Sequence, residues 1–433
     1  MNEEKLSNLE YGLRYGYEEN EAPFSAEEYR RRLDGIRARM ADENIDTLIV
    51  SYPANMNYIS GYKAAWFWEG FPKVWIPASC IAVNVNSDYF VHYDEGEEVL
   101  ITRTTSVPGA VIRPCNDYLE AGVPEHFTTS SYGSDFRQAE NIAKDLKQAG
   151  WLDGTVGLEF WSNRPHPAYS RKFSSILESF GAEVVDGSDI VPVVRRIKSD
   201  KELEYMRTAS MIADIGFDAA VKAMRPGVTE LEVFAEANLA MAKAGGENSA
   251  ITHIIGSGGK SGCLHSLASR RQLKPGDWVN IDICGVFNRY HANIARSISI
   301  GEPETDILEF AKKPERIFHA LNDAMYPGMK MKELVSLGID LARSEGIWED
   351  RWWLGGYELG IAFPPDWVGY YIYDEDVALG DDRLEAGFTG NYEFNFYLPR
   401  AKGIREIIDT LMVTENEAGF IQKSPVEVAV VEI

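Results

Sequence analysis

Hydrophobic positions in the first part of the chain switch between helical and strand-like spacing. Ser25 and Glu28 have the spacing of a helix capping box, and Tyr29, Leu33 and Ile36 then recur every three to four residues, which is the spacing of one buried helix face. The runs "DTLIVSY" and "CIAVNVNSDYFVHYD" then predict short strands, the second run as a pair joined by a turn. Helices that alternate with strands predict a small α/β domain, which we assign to residues 1–195.

The pattern changes in the remaining part of the chain. The strings "SDKE" and "TELE" each place Ser or Thr three residues before Glu, the spacing of a helix capping box. Further along, "WVNIDICG", "ANIARSISIG", "TGNYEFNFYLP" and "IIDTLMVTE" have the β-rich composition of strands. Helices followed by antiparallel strands predict an α+β domain over residues 196–433.

Composition narrows the class of protein. The 433 residues are 45 % hydrophobic and 25 % charged, which is ample apolar material for two packed domains. The formal charge of −24 repels phosphate backbones and anionic lipid, so nucleic-acid and membrane partners are not expected. The polar N-terminus and the lack of a long apolar run indicate a cytoplasmic protein.

Five segments of the second domain, in chain order, resemble the C-terminal "pita-bread" domain of methionine aminopeptidase, prolidase, aminopeptidase P and creatinase. They are "RRIKSDKELEYMRTA", "PGVTELE", "LKPGDWVNIDICGVFNRYHANIARSISIGEP", "LEAGFTGNYEFNF" and "IIDTLMVTENEAG". The resemblance to this creatinase/aminopeptidase P superfamily implies an α+β pita-bread domain preceded by a smaller creatinase-type α/β domain. It also implies a homodimer.

The resemblance bears directly on metal binding. Peptidases of this superfamily hold two divalent metal ions with two aspartates, one histidine and two glutamates. The matching positions here are Asp282, Asn293, Tyr357, Glu393 and Ile408. Two carboxylates cannot bridge two hard cations, because such ions need several anionic or imidazole ligands at once. The resemblance therefore implies no metal and no cofactor.

Two alternatives stay open. A one-residue shift in the last strand would let Glu406 act as the second glutamate, with Asp282, Glu393 and His291 completing a site. The protein would then be a metal-dependent Xaa-Pro peptidase or a DMSP-type lyase. The other alternative is a non-catalytic pita-bread binding protein, against which the retained polar residues and the absence of an added basic tail argue.

The metal-free members give closer local resemblances. In creatinase a histidine on the strand before the first metal-position strand transfers the proton, and "CLHSLASRRQLKPGD" places His265 there. Creatinase also grips the guanidinium of its substrate with two glutamates, whose positions fall on Glu393 and Ala295 here. The strings "RYHA" and "PPDW", which include His291 and Trp367, are similar to segments of ectoine hydrolases.

Hydrolysis without a metal needs a proton shuttle and carboxylates that bind or attack the substrate. His265 is the predicted shuttle, because an imidazole changes charge near neutral pH. Asp282 and Glu393 on strands of one sheet would form a negative wall that favours an amidinium, guanidinium or onium group. For Asp282, a nucleophilic role and a relic bonded to Asn293 or His291 are further interpretations.

Aromatic residues complete the predicted site, since a ring face attracts a cation. Packing in the core or at a dimer interface is the alternative role for such rings. The predicted substrate-binding residues are Trp68, Phe71, His291, Tyr357, Asp366 and Trp367. The sequence thus predicts a metal-independent hydrolase that cleaves a C–N bond of a small zwitterionic or cationic metabolite, such as an ectoine-like cyclic amidine or a creatine-like guanidino acid.

Overall fold

The computed structural model describes residues 23–63, 79–94, 107–114, 136–162 and 166–433. The chain divides into two compact units between Arg195 and Arg196. Within the described ranges, no helix has the length and apolar character needed to span a membrane.

The first unit is an α/β domain built on a mixed sheet. In the described residues, six strands pair in the order β4-β3-β2-β1-β5-β6, with β1 antiparallel to β2 and parallel to β5. The strands are Thr47–Val50 (β1), Cys80–Asn84 (β2), Phe90–Asp94 (β3), Ala110–Pro114 (β4), Thr155–Leu158 (β5) and Glu183–Asp186 (β6). The helices are Ala26–Asp42 (α1), Pro53–Ser60 (α2), Arg137–Gln148 (α3), Pro167–Ser179 (α4) and Ile190–Arg195 (α5). Helices α3 and α4 share a hydrophobic core with the sheet.

The second unit has helices that pack on one face of a larger, largely antiparallel sheet. Its main path has the strand order β11-β10-β12-β13-β9-β8-β7, and β14 and β15 pair with β13 and β9. The strands are Ile254–Ser257 (β7), Trp278–Phe287 (β8), Tyr290–Ile300 (β9), Arg351–Tyr357 (β10), Ile372–Tyr373 (β11), Thr389–Tyr397 (β12), Ile404–Val413 (β13), Ala418–Phe420 (β14) and Ala429–Val431 (β15). The α-helices are Asp200–Ala223 (α6), Glu230–Lys243 (α7), Thr305–Ala324 (α8) and Met331–Ser344 (α9). The predicted fold class, an α+β domain after a smaller α/β domain, is confirmed.

Helix starts follow the predicted capping chemistry with one exception. The reciprocal capping boxes that begin α6 at Ser199 and α7 at Thr229 are complete. At the start of α1, Ser25 accepts the Glu28 N–H, but the Glu28 carboxylate pairs with Arg31 and Arg32 instead. Nearby arginines therefore compete successfully for the second half of that motif.

Side-chain alternation gives the large sheet one apolar and one polar face. On β12 the even-numbered aromatic residues pack into a core with α8 and α9, so Asn391, Glu393 and Asn395 share the opposite face. On β8 the isoleucines on either side of Asp282 pack into a second core with α6 and α7. The carboxylates of both strands consequently lie on the face away from the helices.

Candidate active site

Asp282 and Glu393 belong to one row of residues across the sheet. Asp282 pairs with Ala295 on β9, Ala295 pairs with Ile408 on β13, and Ile408 pairs with Glu393 on β12. Directly opposed residues project from the same face of a sheet. The two carboxylates therefore flank two apolar residues on a shared surface.

Two asparagines connect these carboxylates. Asn293 Nδ2 donates to Asp282 Oδ1 at 2.7 Å and to the Ile283 carbonyl at 3.2 Å. Asn391 Nδ2 donates to Asn293 Oδ1 at 3.2 Å and to Glu393 Oε1 at 3.1 Å. The result is a continuous hydrogen-bonded path from Asp282 through Asn293 and Asn391 to Glu393, which we call the amide path.

Glu393 has further donors on its other side. Asn395 Nδ2 donates to Glu393 Oε2 at 2.8 Å, and the nearby Tyr357 hydroxyl lowers the pKa of the same carboxyl group, against the effect of burial. Trp367 Nε1 donates to Tyr357 Oη at 3.1 Å, which orients the phenol. Glu393 is therefore held in place by the amides of Asn391 and Asn395, next to the phenol that Trp367 orients.

Burial perturbs the acid–base behaviour of the site. It raises the pKa of Asp282 to about 7, although the Asn293 hydrogen bond opposes this shift. Burial and the nearby Asp282 charge raise the pKa of Glu393 to about 8. Burial, followed by the charges of Asp282 and Glu393, raises the pKa of Glu406 well above its ordinary value. A cation in the cavity would favour the ionised form of all three groups.

A cavity of about 650 Å³ opens onto this surface, which is within the range of small-molecule sites. It brings together most of the predicted site residues: His265, Asp282, Tyr357, Asp366, Trp367 and Glu393. The other lining residues are Ile251, Ile254, Leu264, Leu267, Trp352, Trp353, Val368 and Glu406. Indole, carboxyl and imidazole groups thus surround one space.

His265 lies in a turn, whereas the resemblance to creatinase implies a position on a strand. Strand β7 ends at Ser257 and is followed by a 3₁₀ helix, Gly258–Gly262, before His265 is reached. An antiparallel bridge between Ile254 and Leu267 folds this segment back beside β7. The exposed imidazole lines the cavity and lies edge-on to the Trp352 ring at 6.2 Å between centroids.

Glu230, at the start of α7, anchors the segment that presents His265. Its carboxylate accepts hydrogen bonds from the N–H and Oγ of Ser257, from the N–H and Oγ of Ser269, and from Lys260 Nζ. Burial alone would raise the pKa of Glu230, but the hydrogen bonds from Lys260 and the two serines hold it below its ordinary value. Sequence reasoning missed Glu230, because acidic residues are common in the first turn of any helix.

One predicted substrate-binding residue, His291, does not line the cavity, and two others lie outside the described residues. His291 is fully buried; its Nε2 accepts the Ala250 N–H, and its Nδ1 bonds to the Arg289 carbonyl. Both imidazole nitrogens are therefore occupied by backbone bonds, and His291 is not among the residues that line the cavity. Trp68 and Phe71 lie outside the described residues, so their role in binding stays a prediction.

Comparisons with known families agree with this architecture. Residues 32–197 match the Creatinase/Prolidase N-terminal domain, and residues 204–415 match Metallopeptidase family M24. The chain combines a domain of each of these two families. The two matches adjoin at the boundary between the two compact units.

The relatives of this chain are named for different activities. The chain is 25 % identical to ectoine hydrolase of Halomonas elongata over 422 residues, covering 91 % of this chain and 95 % of that protein. It is 28 % identical to Xaa-Pro dipeptidase of Pyrococcus furiosus over 292 residues, covering 67 % and 77 %. The solved Xaa-Pro dipeptidase from Bacillus anthracis superposes with a TM-score of 0.72 at 22 % identity, covering 93 % of this chain and 100 % of that one, which shows the shared fold.

The residues at the M24 metal positions do not fit a two-metal centre. Asn293 directs an N–H donor at Asp282, where a shared cation would need a lone pair from both side chains. Tyr357 is a neutral phenol, because burial and the Glu393 charge raise its pKa well above its ordinary value. Among the described residues, no group of three or more His, Cys, Asp or Glu side chains is arranged to hold a metal ion.

Glu406 lines the cavity, and it does so without the one-residue shift that was the alternative for the last strand. Ile408 is the residue paired with Glu393, and Glu406 pairs with Asn395. Because the two positions differ by two residues, Glu406 and Ile408 share a face of β13. Glu406 therefore reaches the cavity from the neighbouring row, and not from the position of Ile408 that the metal-ligand alignment gives.

Proposed function

We propose that this M24 protein hydrolyses a C–N bond of a small zwitterionic metabolite without a metal ion. The amide path from Asp282 to Glu393 is the observation that favours this function most. Neutral amides there bond to both carboxylates and keep them apart without bridging cations. The similarity to ectoine hydrolase, which extends over nearly the full length of both chains, supports the same class of substrate.

The lining of the cavity suits a small organic cation. Asp282 and Glu393 supply negative charge, and Trp352, Trp353 and Trp367 supply ring faces or edges within the same space. A cyclic amidine such as ectoine, or a guanidino acid such as creatine, combines a delocalised cation with a carboxylate. The substrate cation would bind in the cavity against the carboxylates and lower the cost of their burial.

His265 has the position of a proton shuttle in this proposal. The imidazole takes a proton from a water molecule as the water oxygen bonds to the electrophilic carbon. When the C–N bond breaks, the same proton passes to the leaving nitrogen, so His265 returns to its starting state. Asp282 and Glu393 stabilise the cationic part of the substrate while the tetrahedral intermediate forms.

A metal-dependent Xaa-Pro dipeptidase is the second candidate. Three carboxyl groups, those of Asp282, Glu393 and Glu406, line one cavity, and oxygen ligands are what manganese prefers. Several relatives are named Xaa-Pro dipeptidases. In this alternative, turnover of Xaa-Pro dipeptides would require added metal.

A substrate screen tests the proposal. Chelator-treated protein is incubated with ectoine, hydroxyectoine, creatine, onium osmolytes and Xaa-Pro dipeptides, and products are identified by mass spectrometry. We expect hydrolysis of a small zwitterion, and we expect His265→Ala to lower kcat by about 10²- to 10⁴-fold, the usual contribution of a general acid–base group. His319→Ala, which changes an exposed histidine on α8, is the matched control. Full activity of the His265→Ala protein would refute the shuttle.

A further inference from the structure

Glu406 has an unusual environment for a glutamate. Its side chain is 1 % exposed and lines the cavity, and its backbone N–H donates to Ser297 Oγ at 2.8 Å. On the adjacent strand β12, Asn395 lies directly opposite. The pair forms the next row of the sheet after the row of Asp282 and Glu393.

Both members of this pair have a buried acceptor without a donor. Glu406 Oε2 and Asn395 Oδ1 have no hydrogen-bond partner among the described residues. The amide nitrogen of Asn395 donates to Glu393, which turns its carbonyl oxygen away from that carboxylate. An unpaired buried acceptor costs about 1 to 3 kcal/mol, and more when the group is charged.

The chemistry of the missing partner follows from these two acceptors. An amide oxygen only accepts hydrogen bonds, and so does each oxygen of Glu406 when a bound cation favours its ionised form, so the partner must present N–H or O–H donors. The donors must also reach a cavity that already contains the Asp282 and Glu393 carboxyl groups. A planar amidinium or guanidinium fits, because it combines positive charge with several N–H groups. A quaternary onium ion supplies the charge but no N–H donor.

We propose that Glu406 and Asn395 form a second anchor that selects cations bearing N–H groups over quaternary onium cations. This anchor deepens the proposed function, on which it rests for the cationic nature of the ligand. At Ala295, which faces Asp282, the chain has no polar side chain. The additional hydrogen-bond acceptors are therefore those of Glu406 and Asn395, in the neighbouring row of β12 and β13.

Binding of two simple probes tests the anchor without any turnover. Acetamidinium chloride and tetramethylammonium chloride carry the same charge, and only the first has N–H donors. Calorimetric titrations at about pH 9 keep Glu393, whose pKa is about 8, mostly ionised. We expect the wild-type protein to bind acetamidinium about tenfold or more tightly than tetramethylammonium, the effect of one hydrogen bond to a charged group.

The variant Glu406→Gln should bring the two affinities together, because it removes the charge and puts an N–H donor beside the ligand. Glu415→Gln, the same substitution at an exposed position in the turn after β13, should leave the preference unchanged. Equal binding of both probes by the wild-type protein would overturn the anchor, whether or not the variant folds. If the protein hydrolyses a zwitterion but binds both probes equally, the anchor is wrong and the proposed reaction stands. If it binds acetamidinium more tightly but hydrolyses no zwitterion, the anchor stands and the proposed reaction is wrong.

Discussion

At the scale of single residues, the site depends on the direction in which two amide groups point. The amide nitrogen of Asn293 donates to two acceptors, Asp282 Oδ1 and the Ile283 carbonyl, and this pair of bonds fixes its orientation. Asn293 Oδ1 then faces Asn391. A donor at position 293 stabilises ionised Asp282, whereas a carboxylate there would oppose it.

The substitution Asn293→Asp tests this role. It replaces the donor by an anion next to Asp282, so we expect kcat/KM of the metal-free protein to fall by about 10- to 100-fold, the effect of losing a hydrogen bond to a charged group. Steady-state kinetics on the best substrate of the screen measures this loss. Asn416→Asp, at an exposed turn, is the control. Unchanged kinetics in the Asn293→Asp protein would show that the amide path is not needed.

The raised pKa of Glu393 predicts that the free energy of unfolding depends on pH. Its pKa is raised from 4.5 to about 8, first by burial and then by the Asp282 charge, so the folded state holds the proton more tightly than the unfolded state. The stabilisation from this proton is complete below about pH 4.5 and is lost at up to about 1.4 kcal/mol per pH unit as the pH rises to about 8.

Urea unfolding of wild-type and Glu393→Gln protein measures this contribution, because glutamine does not titrate. Relative to the variant, the wild-type protein should lose free energy of unfolding steadily between about pH 5 and pH 8. A constant difference between the two proteins over this range would mean that Glu393 is ionised throughout.

At the scale of elements, the segment between β7 and β8 determines where the imidazole lies. Glu230 binds this segment before and after His265, through Ser257, Lys260 and Ser269. We expect Glu230→Gln to lower kcat more than it changes KM, because the cavity walls on other strands stay in place while His265 loses its fixed position.

Glu236→Gln, at an exposed position on α7, is the control for this prediction. The dependence of kcat on pH distinguishes a misplaced imidazole from a general loss of structure. Misplacement of His265 should change the shape of the pH–rate profile as well as the maximal rate. Equal loss of activity in both variants would point to α7 as a whole and would contradict a specific role for Glu230.

Local sequence signals predict the regular elements well and the irregular ones poorly. Capping boxes identify the starts of α6 and α7, because each uses only atoms within one turn of helix. The capping box at Ser25 is only half-formed, because Arg31 and Arg32 pair with the Glu28 carboxylate. His265 lies in a turn, because a 3₁₀ helix follows β7. A rule based on residue spacing includes neither effect.

At the scale of the whole molecule, the resemblance predicts the fold and the positions of Asp282 and Glu393 in one cavity. It names Glu406 only through an alternative alignment, because membership of the cavity depends on the register between β12 and β13 and on how far a side chain reaches. The homodimer stays a prediction, and so does the role of Trp68 and Phe71 in substrate binding.

Turnover in the absence and presence of metal tests the central claim most directly. Protein is treated with chelator, its metal content is verified by mass spectrometry, and hydrolysis of its best substrate is measured before and after addition of manganese. Because amide donors occupy the site between Asp282 and Glu393, we predict equal rates in both samples and no stoichiometric binding of manganese. Activity that appears only after metal is added would contradict the account and would favour the metal-dependent dipeptidase.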